Sequence, residues 1–401
     1  LAFVFRLIFL VGAALTSLLA IEWPSVSKRG EFYILLVFST LGMNLMAAAG
    51  NLVMLFLSIE TASIPLYAMA GFMNDDERST EAGFKYLLFG AMTSAVMLYG
   101  FSLMYGFAGT ADIYALADAF KEVPSTPLFA SLVLVLVGFG FKISMVPLQF
   151  WAPDVYEGAP TPVTGFLSTA SKAAGFSVMV RVLLAVFPVA DWQMILAVVA
   201  AVTMTLGNLV AMWQSNIKRM LAYSSIAHAG YILMALAAGT EFGVNSMMYY
   251  IITYLLTNLA AFGFVIVYYH HSGSDQIEDY AGLSRRNAWL AFGMLFTFLS
   301  LGGIPPLGGF FAKVLVFSAA VQANLVWLAV IGVLNAVVGL YYYLNVLKVV
   351  YLKRQPGDEI HMPVNPVHAI VLTVCVIGVV LMGTVMSPWF QITTEAAKSI
   401  F

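Results

Sequence analysis

The chain has 401 residues, of which 61% are hydrophobic and only 9% charged, with a net charge of -2. A soluble domain carries about 25% charged residues, so composition excludes a soluble fold and calls for a bilayer as solvent. No long basic run exists, which argues against nucleic acid as a partner.

Apolar runs of about 20 residues read as transmembrane helices. Twelve follow one another at 1–21, 31–49, 51–72, 82–106, 128–150, 162–187, 192–213, 220–239, 244–269, 289–320, 325–351 and 367–386. They predict an all-α polytopic membrane protein, one transmembrane domain over 1–401. The first run is too long and uninterrupted for a signal peptide and lacks a small-residue cleavage site. Because the chain opens on Leu1, its numbering is expected to start inside the native protein. The fifth run is interrupted by Pro147, five residues after Lys142. The tenth is too long for one straight span and contains Gly302-Gly303-Ile304-Pro305-Pro306-Leu307-Gly308-Gly309, which should break the helix.

If the runs alternate in direction, one side collects Lys28, Arg29, Arg78, Lys218, Arg219, Arg285, Arg286, Lys353 and Arg354, and the other only Lys121 and Lys398. That bias places the first side in the cytoplasm or an organelle matrix. The breaks suggest a repeat. Runs two to six (30–187) and seven to eleven (192–351) each carry an interrupted fourth helix with a lysine, Lys142 or Lys313. Five helices is an odd number, so the units enter the membrane from opposite faces, as in the inverted repeats of transporters. The runs 1–21 and 367–386 flank them.

Five charged residues lie inside spans: Glu60, Lys85, Lys142, Lys172 and Lys313. Hydrocarbon penalises a lone charge, so such residues usually mark an ion or proton path. Lys142 lies about 12 Å of helix from the end of its run, too far to snorkel easily. Lys172 follows Ser168-Thr169-Ala170-Ser171, small residues that let helices approach and water enter. Lys313 comes seven residues after the Pro-Pro break, where unwound backbone exposes carbonyls. Glu60 needs a cation or a proton, and Lys85 is its candidate partner; a purely structural ion pair is the alternative. His228, within Tyr223-Ser224-Ser225-Ile226-Ala227-His228, is a relay candidate or a hydrogen-bonded structural histidine. Arg181, seven residues before Pro188, reads as snorkelling, and His270 and His271 as interfacial.

Other chemistries lack their motifs. No strand–GxGxxG–helix unit, Ser–His–Asp order or zinc spacing is present. The single cysteine, Cys375, reads as a buried apolar filler and cannot form an intramolecular disulfide or hold an iron–sulfur cluster. No metal or cofactor site is expected in this chain.

Several stretches carry a family likeness. Gly140-Phe141-Lys142-Ile143-Ser144-Met145-Val146-Pro147 leads into Trp151-Ala152-Pro153-Asp154-Val155-Tyr156-Glu157-Gly158-Ala159-Pro160-Thr161-Pro162-Val163, and Thr169-Ala170-Ser171-Lys172 follows. Asn216-Ile217-Lys218-Arg219-Met220-Leu221-Ala222-Tyr223 and Gly303-Ile304-Pro305-Pro306 complete the set. From about residue 30 to 350 these closely resemble the antiporter-like subunit N (subunit 2) of respiratory complex I, the proton-pumping NADH:quinone oxidoreductase. The Asp154–Pro160 loop favours this family over the larger paralogues and over multi-subunit sodium/proton antiporters, the alternative reading. The resemblance implies a fourteen-helix bundle with two inverted five-helix repeats and a proton half-channel in each. The first two helices of that bundle would be absent from this numbering. It further implies that Glu60 and Lys85 form a coupling pair, Lys142 is the first channel's lysine, Lys172 the connecting lysine and Lys313 the second channel's lysine. FMN, iron–sulfur clusters and quinone would belong to partner subunits. Its partners would be other complex I membrane subunits and the lipid bilayer. Its place would be an energy-transducing membrane: a bacterial inner membrane, with the mitochondrial inner membrane or thylakoid as alternatives.

Overall fold

The computed structural model describes all residues except 24, 25, 27, 28 and 359, and of Glu122 only the backbone. Lys28, one of the cations that set the orientation, lies outside the described residues. The chain forms α1 (Ala2–Leu19), α2 (Gly30–Met46), α3 (Leu52–Ala70), α4 (Glu77–Ala108), α5 (Ile113–Ala119), α6 (Ser125–Ile143), α7 (Trp151–Gly158), α8 (Thr161–Phe166) and α9 (Lys172–Val186). It continues with α10 (Val189–Ala211), α11 (Ile217–Ala237), α12 (Glu241–Ser272), α13 (Leu283–Arg286), α14 (Ala288–Gly302), α15 (Gly308–Gln322), α16 (Val326–Leu352), α17 (Pro366–Thr384) and α18 (Met386–Lys398).

Every expected span is present. Among the described residues, ten helical stretches, with α8 and α9 counted as one, are long and apolar enough to cross a membrane. The other two expected spans are α2, slightly shorter, and the tenth run, which divides into α14 and α15 at the Gly-Pro segment. The fifth run is also broken: α6 stops at Ile143, inside the run, and α7 begins at Trp151, just beyond its end. The short helices α5, α7, α13 and α18 have no counterpart in the reading by hydropathy, because each is too short or too polar to register as a span.

Thr161–Val186, α11 and α12 are enclosed along almost their whole length and form the centre of the bundle. Around them, α2, α4, α16 and α17 turn large apolar side chains outward, among them Val37, Met92, Val337 and Ile370. That is the inverse of a water-soluble surface and suits lipid or an apolar partner. Glycines set the tightest crossings. A Cβ on Gly42 of α2 would stand 2.3 Å from the Ala62 nitrogen of α3, and one on Gly207 of α10 would stand 2.6 Å from the Ala227 nitrogen of α11. Small residues let the backbones approach in this way.

The local geometry recurs. Asn51 caps α3 by accepting from the Met54 N–H, and Asn216 caps α11 by accepting from the Arg219 N–H. Each asparagine sits in an antiparallel bridge to the segment after a 32-residue helix, α4 or α12. The Leu52 N–H donates to Ala111 O at 2.8 Å, and the Ile217 N–H to Asp275 O at 2.8 Å. At the breaks, α6 ends on left-handed Ser144 (φ 61°) and α14 on left-handed Gly303 (φ 86°). Each turn is closed by a longer bond, Met145 N–H to Gly140 O and Ile304 N–H to Leu299 O, which satisfies carbonyls the helix end leaves free.

Candidate functional site

The three central lysines are all buried, with 6%, 3% and 5% of Lys142, Lys172 and Lys313 exposed. None has a carboxylate within ion-pair distance among the described residues; each amine instead meets neutral oxygens. Lys142, in the last turn of α6, donates to Ser63 Oγ of α3 at 2.7 Å. Its stem packs on Gly175 of α9, where a Cβ would lie 3.2 Å from Lys142 Cγ. Lys172 sits three residues before Gly175 at the start of α9, just past a π-helical turn over Leu167–Ser171. Such turns often accompany functional sites. Its Nζ donates to the Ser225 hydroxyl at 2.6 Å and the Ser225 carbonyl at 3.0 Å, both on α11.

Three residues on, and so on the same side of α11, His228 lies between two phenols. Its Nδ1 is 2.7 Å from Tyr250 Oη and its Nε2 3.2 Å from Tyr343 Oη. His228, Tyr250, Ser300, Leu301 and Ala312 border a cavity of about 10 Å³, close to the room one water needs. Lys313 reaches back from α15 to the end of α14 and donates to the carbonyls of Leu301 (2.8 Å) and Gly302 (3.0 Å). These carbonyls lost their helical partners at the break and form the negative end of the α14 dipole. The Tyr231 ring lies 5.3 Å from Lys313 Nζ.

The structure thus lines up Ser63, Lys142, Lys172, Ser225, His228 and Lys313 along the inside of the bundle. It does not join Glu60 to Lys85. Glu60 accepts from Ser94 Oγ at 2.6 Å and, one helical turn before Ser63, belongs to the Lys142 end of the file. Lys85 lies nearer the helix end and pairs with Glu81 and Asp154, both at 2.6 Å. The expected Glu60–Lys85 pair is therefore corrected: the missing partner was Asp154, which is distant in sequence and brought in by α7. Arg181 does not snorkel. It is buried in α9 and donates to the carbonyls of Ala49 (2.8 Å) and Ala47, at the end of α2. His271 accords with an exposed position, and its Nε2 lies 2.6 Å from Pro363 O.

Sequence reasoning missed the acceptors. Ser63, Tyr250 and Tyr343 were invisible because a hydroxyl inside a span costs little and stands out little. A period-3 reading of α11 from Ser225 to His228 could have flagged that face. Asp154 and Arg219 sit at a helix border, where charges are ordinary. Arg219 Nη1 donates to Asp154 at 2.8 Å and Glu157 at 2.9 Å. Burial works to raise the Asp154 carboxyl, but the hydrogen bonds from Lys85 and Arg219 outweigh it and hold that group below its ordinary value.

Residues 49–339 match the family described as NADH:quinone oxidoreductase/Mrp antiporter, transmembrane. The chain is 46% identical to NADH-quinone oxidoreductase subunit N of Heliobacterium modesticaldum, covering 98% of this chain and 84% of that one. It is 42% identical to NAD(P)H-quinone oxidoreductase subunit 2 of Synechococcus elongatus, covering 99% and 79%. A chain of respiratory complex I from Thermus thermophilus superposes with a TM-score of 0.84 at 33% identity, covering 97% of this chain and 85% of that one. A chain of the Mrp complex from Dietzia superposes at 0.91 with 20% identity, covering 99% and 83%, which is a likeness of fold alone. The chain belongs to the NADH:quinone oxidoreductase/Mrp antiporter family of transmembrane subunits, on its quinone oxidoreductase subunit N branch.

Proposed function

We propose that this chain is a proton-translocating membrane-arm subunit of a NADH:quinone oxidoreductase, with Lys142, Lys172 and Lys313 as the proton-bearing groups and His228 as a relay between the last two. The observation that carries the reading is the file of three buried amines, each held by neutral oxygens of another helix or of a helix break. An amine in a salt bridge is fixed in its charged form; one held by a hydroxyl or a carbonyl can give its proton up at smaller cost. Ser225 and His228 on one face of α11 offer the step from Lys172 toward Lys313, and the cavity beside His228 has room for a bridging water. Glu60, one turn from Ser63, supplies negative charge at the Lys142 end.

Electron transfer, and with it FMN, iron–sulfur clusters and quinone, is assigned to partner subunits; this chain contributes no redox chemistry. Its partners are other membrane subunits of that complex and lipid. Two five-helix units of inverted orientation, 30–187 and 192–351, are part of the reading. Their support is the recurrence of the asparagine cap, the bridge and the glycine crossing, 164 or 165 positions further on in the second unit.

The test is Lys142→Ala in the assembled enzyme, with quinone reduction and proton uptake into vesicles measured together. Proton transfer per NADH should fall while the complex still assembles. Unchanged pumping would refute the role. Ion exchange by the chain in vesicles lacking NADH and quinone would favour a sodium/proton antiporter subunit instead.

A further inference from the structure

Lys218 and Arg219 open α11, and the proton file makes no use of them. Both turn toward α7, the short helix that follows the first break. The Lys218 amine is buried and donates to the carbonyls of Glu157 (2.7 Å) and Ala159 (2.8 Å), the free carbonyls at the end of α7. Arg219 holds the carboxylates of Asp154 and Glu157 on the same helix, and Lys85 of α4 holds the other oxygen of Asp154. Two helices therefore grip α7 by charge, one at its carbonyl end and both at Asp154.

On this side α7 touches α4 closely at Gly158 and borders open space beyond it. Arg78, Glu81, Lys85, Asp154, Glu157 and Arg219 line an open polar cavity of about 260 Å³ beside it. The far end of α7 is tied to the break. Trp151, its first residue, donates from Nε1 to the Phe141 carbonyl at 3.1 Å and stacks on Tyr86 at 4.4 Å. Phe141 immediately precedes Lys142. A continuous set of contacts thus runs from the start of α11 through α7 to the turn that carries the first amine.

We propose that Lys218 and Arg219 are positioning residues for Lys142: by clamping α7 against α4 and α11 they fix the end of α6, and with it the contact of Lys142 with Ser63. The clamp also joins the two halves of the chain, since α11 carries Ser225 and His228. Without Lys218, two carbonyls at the end of α7 lose their donor; without Arg219, Glu157 loses its donor and Asp154 keeps only Lys85. α7 would then drift into the polar cavity, drawing Trp151 from Phe141 and admitting water to the break. The inference rests on the proposed role of Lys142.

The experiment uses the assembled complex. Cys375, the chain's one cysteine, is replaced by serine, and Ser63→Cys places a thiol opposite Lys142. Its labelling by a water-soluble thiol reagent is read by mass on this chain. Lys218→Met, Arg219→Gln and Gly158→Ala are compared in that background. The last changes no charge, but its Cβ would stand 2.3 Å from Arg78 O and push α7 off α4. Each should speed labelling, and in the chain with Ser63 restored each should lower proton transfer per NADH, a displacement of about 1 Å at a reacting site costing up to about a hundredfold. Lys218→Arg, which keeps the cation and its donors, should restore both. A merely structural role would lower the amount of complex without changing labelling per complex. Labelling and proton transfer per complex at the unmodified level in all three variants would overturn the clamp. If Lys142→Ala lowers proton transfer in the same preparations, the proton-file reading survives that loss. If Lys142→Ala also leaves proton transfer unchanged, both fall.

Discussion

Gly207→Ala should drive α10 away from α11, through a residue that touches none of the charged groups. A Cβ there would stand 2.6 Å from the Ala227 nitrogen and 2.8 Å from the Tyr223 carbonyl oxygen. Ordinary contact needs about 3.5 Å, so the helices must part by roughly 0.8 Å. α11 is enclosed on all sides, while α10 exposes Val198, Val202 and Leu209, so α10 is the helix that moves. Its next residue, Asn208, is buried and ties three helices together. Asn208 Nδ2 donates to Tyr231 Oη (3.2 Å) and Asn335 Oδ1 (3.3 Å), and its Oδ1 accepts from Tyr342 Oη (3.0 Å). A retreat of that size from α11 carries the Asn208–Tyr231 contact beyond bonding distance, while Asn335 and Tyr342 belong to α16.

Crowding costs roughly 1–3 kcal/mol, and the lost interhelical polar contact adds about 0.6 kcal/mol. The expected loss is about 2–4 kcal/mol of unfolding free energy, read by SDS titration in mixed micelles. A loss below about 1 kcal/mol would refute the displacement.

Gly303→Ala should act on Lys313 directly. Gly303 has φ 86°, and its Cβ would lie 2.9 Å from Lys313 Cδ, so the substitution costs about 1–2 kcal/mol in backbone strain and pushes the amine off the Leu301 and Gly302 carbonyls; proton transfer in vesicles should fall while quinone binding does not. Asp275→Asn should stabilise. Burial raises the Asp275 carboxyl above its ordinary 3.8, although Lys218 opposes the shift. A carboxyl raised on folding weakens the fold at neutral pH, where it is charged, so the gain should be present at pH 7. The gain should shrink as pH falls through the raised folded value and vanish below about 3.9, the unfolded value. Thermal midpoints of the solubilised complex at pH 7 and pH 4 test this, and an equal gain at both would refute it.

How much of this was legible depends on how each feature is encoded. The spans were, because about 20 apolar residues are needed to cross a bilayer and little else in a chain looks like that. The breaks were, because Pro305-Pro306 between glycine pairs cannot continue a helix. The buried lysines were, because a charge in a span is conspicuous. What each lysine touches was not. Ser63 lies 79 positions from Lys142 and Ser225 53 positions from Lys172, and no local pattern pairs a hydroxyl with a distant amine. The Glu60–Lys85 pairing failed for the same reason: Lys85 was read near the start of the span after that of Glu60, and nothing local showed that Asp154, 69 positions on, would be brought to it by α7.

The two breaks use their lysines differently, and the difference has an electrical consequence under the two-unit reading. Left-handed Ser144 and left-handed Gly303 are 159 positions apart. By that spacing the counterpart of Lys142 is Leu301, and the counterpart of Lys313 is Asp154. Lys142 precedes its break as part of the last turn of α6, while Lys313 follows its break and reaches back to the last turn of α14. Both amines thus arrive at the same level of the unit, one by side-chain position and one by carbonyl capture. Around them the helices α3 and α11, matched 165 positions apart, differ in charge: Glu60 corresponds to Ser225, and Ser63 to His228. The first amine has a carboxylate one turn from its acceptor; the second has a hydroxyl and an imidazole in the matching places. A negative charge favours a proton on Lys142, and the neutral set offers Lys313 no such help. Under the proposed reading, two units with one backbone plan hold protons unequally, which would give the relay a direction. Glu60→Gln should narrow that inequality, and proton transfer should slow with Lys142, Lys172 and Lys313 all intact.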